Sequence, residues 1–265
     1  MNNIVTGNAV IDGVLERVKA SMSIQSATMK SEKKIKQEQQ SLYNCKQCKD
    51  TTWILKADGT AKRCNCYELI RVKEQWEASG LKADDIDKTF STYEPWNDLT
   101  KKMKGIATNY YLKFKEIENT KHNSILLCGQ PGAGKTHLSI ALANNFIKKD
   151  NRRVVYMPYR DIITKLKQNI LDKEYYKKLV GKYQTAGILL IDDLFKGKVN
   201  ETDINIMFEI IIYRYINKLP LIVSTEYLVE EMLSFDEAIG SRIYEMSKDF
   251  IAEVRGQENN YRLRG

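Results

Sequence analysis

The sequence predicts an α/β fold: a parallel sheet of five strands flanked by helices, preceded by a small cysteine-bearing module. From Ser124 onward, five short and almost purely apolar runs, SILLC, RVVYM, GILLI, LPLIVST and DFIAEV, alternate with longer helical stretches. Strands buried on both faces of a parallel sheet have this composition. The first run leads into Gly129-Gln130-Pro131-Gly132-Ala133-Gly134-Lys135-Thr136, a full match to the phosphate-loop pattern G-x-x-x-x-G-K-[ST]. Four of the five cysteines lie between residues 45 and 66.

In chain order, residues 1–42 come first, as a helical or linker segment. Ile11, Val14, Leu15, Val18 and Met22 recur at helical spacing, and the charged stretch SEKKIKQEQQS follows as an exposed helix or a linker. The first residues contain neither an unbroken apolar core nor an early cationic patch. A secretory leader is therefore not expected, and a cytoplasmic protein is. No apolar run in the 265 residues approaches the roughly 20 that a bilayer requires, so no membrane partner is expected.

Cys45-Lys46-Gln47-Cys48 and Cys64-Asn65-Cys66 are separated by fifteen residues. Without an export signal, disulfides explain this spacing poorly, and four thiolates around tetrahedral Zn²⁺ explain it well. An iron–sulfur cluster or free thiols would use the same side chains. Thr51–Leu55 reads as a strand and Ala57-Asp58-Gly59-Thr60 as a turn. So small a module has little core, and the metal would provide most of its folding free energy. It is placed at 43–80, followed by a connecting helical segment over 81–120; the helical, amphipathic pattern runs from about 68 to 115 and is broken at Ser79-Gly80 and near Pro95. The ATPase domain is placed at 121–265, with the fifth cysteine, Cys128, as a small buried hydrophobe.

The glycines of the phosphate loop let successive backbone N–H groups converge on a phosphate, and the helix that follows adds its positive end. Lys135 reaches the β- and γ-phosphates, and the Thr136 hydroxyl is a Mg²⁺ ligand. Gly187-Ile188-Leu189-Leu190-Ile191-Asp192-Asp193 supplies the acidic partner. Asp192 would anchor the Mg²⁺ shell, and Asp193 would polarise the attacking water, or else only cap the next turn. Pro220–Glu226 is another buried strand ending in polar residues, a position suited to sensing a γ-phosphate.

The chain is basic, with 42 Lys and Arg against 34 Asp and Glu. That balance suits a polyanionic partner and equally serves solubility. Between Pro158 and Gln184 stand seven Lys or Arg, three acids and four tyrosines. Cations interleaved with stacking faces suit single-stranded DNA, and they also describe a solvated helix with tyrosines at its apolar edge.

Taken together, GQPGAGKTH, LLIDDLF, IIIYRYINKLPLIVSTEY, GSRIYEM and the terminal NNYRLR resemble an AAA+ ATPase of the DnaC/DnaI helicase-loader type, to which the IstB-type transposition helpers are related. The resemblance covers about 124–265. It implies an AAA+ core using ATP and Mg²⁺, with Gly129–Thr136 and His137 at the nucleotide. It further implies self-association into a ring or spiral, in which Arg242 acts on a neighbour's γ-phosphate. Thr225 falls at the sensor-1 region, but Glu226 stands where many relatives carry Asn, so both remain candidates for the sensor. No full lid domain is expected, with Arg262 or Arg264 standing in for a lid-borne arginine. The implied function is ATP-dependent delivery of the replicative helicase hexamer onto single-stranded DNA. In that reading the zinc module grips the helicase and the helices between the two ATPase motifs touch DNA. A transposition helper acting on duplex DNA, and a zinc adaptor that binds ATP without hydrolysing it, are the alternatives.

Overall fold

The computed structural model describes residues 43–263. The helix or linker read over 1–42, and Arg264, lie outside the described residues. The chain divides into two compact units, Met1–Leu69 and Ile70–Gly265.

In the first unit, β1 (Trp53–Leu55) and β2 (Ala61–Arg63) pair antiparallel. The turn between them places Gly59 at φ +81°, a conformation that glycine adopts without a steric penalty. Asp58 fixes it by accepting from the Thr60 N–H at 2.9 Å and the Thr60 hydroxyl at 2.6 Å. The Arg63 guanidinium lies 3.9 Å from the Trp53 ring centroid and 4.1 Å from that of Tyr67. Trp53 and Leu55 are themselves exposed, so this hairpin has almost no apolar interior.

Helix α1 (Cys66–Ser79) ends where Gly80 takes φ +83°. Helix α2 (Asp98–Ile117) starts after Pro95, capped by the Asn97 side chain on the Thr100 N–H at 2.8 Å. The sheet follows, with β3 (Ile125–Gly129), β4 (Val154–Pro158), β5 (Ile188–Leu194), β6 (Leu221–Thr225) and β7 (Ile251–Val254). Its order is β4-β5-β6-β3-β7, and every pairing is parallel. Between the strands run α3 (Lys135–Lys148), α4 (Tyr159–Gln168), α5 (Lys173–Gln184), α6 (Glu201–Ile216), α7 (Val229–Phe235) and α8 (Glu237–Ser247).

Alternation within the apolar runs explains the two-sided core. Ile125 and Leu127 on β3, with Leu190 and Ile222, pack beneath Tyr110, Phe114, Leu138 and Phe146 of α2 and α3. Leu126 and Cys128, with Leu189, Ile191 and Val223, face Ile163, Val180, Ile210 and Ile243 of the helices on the other side. Cys128 is fully buried, which pushes its thiol up to about 12, so it behaves as the apolar residue the sequence suggested. Among the described residues, no helix is long and apolar enough to cross a membrane.

Two polar devices set where the connections lie. Asn144 of α3 donates to the carbonyls of Asp85 at 2.7 Å and Lys88 at 2.9 Å, and accepts from the Trp76 indole at 3.0 Å. The segment ahead of α2 is thereby held against the helix that leaves the phosphate loop. Arg214 of α6 is fully buried and donates to the carbonyls of Tyr183, Gln184, Ala186 and Pro220 at 2.7–3.0 Å. A single guanidinium thus fixes the end of α5 to the starts of β5 and β6. Replacing Arg214 with Met strands several buried carbonyls, and urea titration should show a loss of about 3 kcal/mol or more. Unchanged stability would mean that those carbonyls find water instead.

Candidate functional site

The phosphate loop curls between β3 and α3, with Gly129 at φ +100°, Gly132 at +78° and Gly134 at +85°. Close packing as well as backbone conformation demands glycine here. A Cβ at Gly129 would run into the Val254 carbonyl, one at Gly132 into the Asn260 amide, and one at Gly134 into the Tyr93 ring. The Gln130 N–H donates to Val254 O at 2.7 Å, and the Tyr261 N–H to Gly132 O at 3.1 Å. The Tyr93 hydroxyl donates to Ala133 O at 3.1 Å. Lys135 is buried, and its ammonium donates to the carbonyls of Gly129 at 2.7 Å and Gln130 at 2.9 Å. Burial pulls it down to about 8.

At the end of β5, Asp192 is buried and accepts from the Thr136 hydroxyl at 2.8 Å, the Ser224 hydroxyl at 2.5 Å and the Tyr156 hydroxyl at 3.2 Å. Burial pushes its carboxyl above the ordinary range in spite of those donors. The strand continues through both carboxylates to Leu194 with an irregularity in its register against β6. At that irregularity Asp193 takes φ +56°, and its N–H donates to Ser224 Oγ at 2.9 Å. A left-handed non-glycine residue stores strain that the surrounding packing must sustain. It turns the Asp193 side chain to the mouth of the cavity, where Lys196 Nζ lies 2.8 Å from Asp193 Oδ2 and 2.8 Å from Glu226 Oε1.

These groups line one cavity of about 600 Å³ together with Pro131, Gly132, Gly134, Lys135, Thr136 and His137. Its outer wall is Thr92, Tyr93, Trp96, Tyr261 and Arg262, with the Trp96 and Tyr261 rings 5.2 Å apart. His137 Nε2 lies 3.0 Å from Thr89 O and 3.3 Å from the Thr92 hydroxyl, so this ring ties α3 to the segment before α2. Thr225 is fully buried and gives its hydroxyl to Leu194 O at 2.9 Å, whereas Glu226 lines the cavity. Of the two sensor candidates, Glu226 is the one that faces the cavity. Arg242 stands apart from it on α8, with its guanidinium 5.5 Å and 5.6 Å from the Tyr215 and Phe208 rings and Nη1 donating to Ala238 O at 2.6 Å.

A hydroxyl at a helix start and a buried carboxylate 2.8 Å away form an all-oxygen donor pair, which suits Mg²⁺. A glycine-rich loop ahead of the α3 N-terminus, with Lys135 at the helix start, suits a triphosphate. Ser224 and Tyr156 are participants that the sequence reading missed. Ser224 sits in a buried strand, where only knowledge of which strand neighbours β5 could single it out.

In the first unit, the Sγ atoms of Cys45, Cys48, Cys64 and Cys66 all lie within 4.8 Å of one another. The Cys45–Cys64 and Cys48–Cys66 pairs are 3.6 Å and 3.3 Å apart. Thiolates on tetrahedral zinc stand about 3.8 Å from each other, so the four fit the ion. Asp50 braces the first knuckle by accepting from the N–H groups of Cys45 at 2.8 Å and Asn44 at 3.1 Å. Backbone N–H groups of Cys48 and Gln47 hold the Cys45 thiol down to about 7.

The family model for IstB-like ATP-binding proteins matches residues 69–264. The chain belongs to this family. Among its relatives, the uncharacterized protein YqaM of Bacillus subtilis is 36% identical over 215 residues, which span 78% of this chain and 68% of that protein. The phage-like element PBSX protein XkdC of the same organism is 33% identical over 237 residues, 85% of this chain and 88% of that one. The crystal structure of the DnaC helicase loader matches with a TM-score of 0.56 at 24% identity, covering 66% of this chain and 100% of that one. The structure of DnaI matches at 0.55 and 18%, covering 66% and 95%. This IstB-like chain thus has the AAA+ fold of the helicase loaders, with an ATP-binding ATPase-family domain. The phosphate-loop glycines are a stability requirement as well: Gly129→Ala should lower Tm by about 5 °C or more, read by differential scanning calorimetry. An unchanged Tm would show that β7 can move away.

Proposed function

We propose that this protein is an ATP-dependent loader that delivers or opens the replicative helicase hexamer on single-stranded DNA. The observation that carries the reading is the meeting of Lys135, Thr136, Asp192 and Asp193 in one cavity at the ends of β3 and β5. Lys135 and the loop amides would bind the β- and γ-phosphates, and Thr136 and Asp192 would hold Mg²⁺. The ion, when bound, neutralises charge developing on the phosphoryl oxygens. Asp193 would orient the attacking water and take its proton. Arg242, remote from its own cavity, would serve a neighbouring subunit in a ring or spiral. The cysteine module would hold Zn²⁺ and grip the helicase, and α4 and α5 would face DNA. A cytoplasmic location follows from that task.

The family match supports a second reading, a transposition helper acting on duplex DNA. Helicase binding separates the two readings. Full-length protein should carry one zinc per chain and retain the helicase in a pull-down. Serine at all four clustered cysteines should abolish both; equal capture by the serine variant would refute the assigned division of labour.

Asp193→Asn should cut ATP turnover by about 10²-fold or more while leaving ATP binding intact. Arg242→Ala should cut it by about 10³-fold. Because Arg242 would act on a neighbour, mixing the two inactive variants should restore part of the turnover. No recovery on mixing would place the arginine elsewhere.

A further inference from the structure

Four Lys or Arg side chains line the cavity among the described residues: Lys88, Lys135, Lys196 and Arg262. Lys88 is held by Asp85 at 2.7 Å, and Lys135 by the loop carbonyls described above. Lys196 is the cation on the acid-bearing side, bridging Asp193 and Glu226 at 2.8 Å each. Burial draws its pKa down, but pairing with Asp193 and then Glu226 outweighs that, and the ammonium is held above its ordinary range.

The backbone around Lys196 is firmly placed. Phe195, fully buried at φ +62°, packs on Phe235 and Tyr159 with centroids 5.5 Å and 5.9 Å away. The Lys196 N–H donates to Asp193 O at 3.0 Å. An anchored backbone leaves the flexible four-carbon stem to carry a point charge within a small radius. Glu226 is the second half of the device. A carboxylate lining a triphosphate cavity repels the γ-phosphate unless a cation accompanies it, and Lys196 is that cation.

We propose that Lys196 is the group by which this cavity distinguishes ATP from ADP: its ammonium, seated by Glu226, moves from the Asp193 carboxylate to the γ-phosphate. Asp193 is tied up in the ion pair until a triphosphate competes for the lysine, and only then is it free to act on water. Glu226 is a positioning residue, since it acts through Lys196. The inference rests on the ATPase reading above and adds to it a sensor built from an ion pair in place of a neutral amide.

The test measures binding, by calorimetry on full-length protein with ADP and with a non-hydrolysable ATP analogue. Lys196→Met should leave the ADP affinity within about twofold and reduce the preference for the triphosphate by about tenfold, and Lys196→Gln should do the same. Lys196→Arg, which keeps the charge, should restore most of the preference. An unchanged preference in the Met and Gln variants, with ADP still bound, would overturn the proposal and leave the pair as a brace on the loop after β5. Wild-type protein that binds neither nucleotide would fail earlier, and would overturn the ATPase reading along with it.

Discussion

The carboxylate of Asp192 is the point on which the site depends. Its two oxygens accept hydroxyls from α3, β4 and β6 while its own backbone belongs to β5. A buried carboxylate with several donors is stable only where those donors are held in register. The parallel sheet provides that register by bringing the ends of β4, β5 and β6 to one edge. The same arrangement would suit a divalent cation, because the oxygen donors are already gathered and dehydrated. Nucleotide chemistry and local folding thus make the same demand on this corner of the chain.

Around that centre, segments distant in sequence close the phosphate loop by backbone contacts more than by charge. Val254 O, the Asn260 amide and the Tyr93 ring each crowd it, and each approach requires the absence of a side chain on a loop glycine. Asn144 and His137 tether the stretch ahead of α2 to the outer face of α3. The cavity wall is therefore contributed by residues on both sides of the core motif in the sequence. A nucleotide seated there would be sensitive to any partner that moves the 85–96 stretch or the turns after β7.

The cysteine module is built on a different principle. Its hairpin has exposed apolar side chains and one arginine between two rings, too little burial to offset the chain entropy of ordering it. Among its described residues, four thiols lie within 4.8 Å of one another, and a metal held there would supply stability. A metal that binds only the folded form adds its binding free energy to folding. The ATPase unit, with apolar residues on both faces of a five-stranded sheet, has no such need.

Much of this was legible in the sequence because the chemistry is local. The phosphate loop, the paired acids after an apolar run and the cysteine spacing are each set by neighbouring residues, and the alternation of apolar runs with helical periods gives a helix-covered parallel sheet. What only the tertiary structure decided depends on strand order and on the direction of side chains at strand ends. Sequence spacing does not indicate that β6 lies beside β5, so Ser224 could not be paired with Asp192. Nor does it show that Thr225 turns inward to Leu194 O while Glu226 turns outward. Adjacent residues at a strand end face opposite ways, and one step of register separates a cavity-lining group from a buried one. The ion pair that joins Lys196 to both Asp193 and Glu226 exists only because a left-handed kink and a sheet neighbour bring three separate side chains to one place.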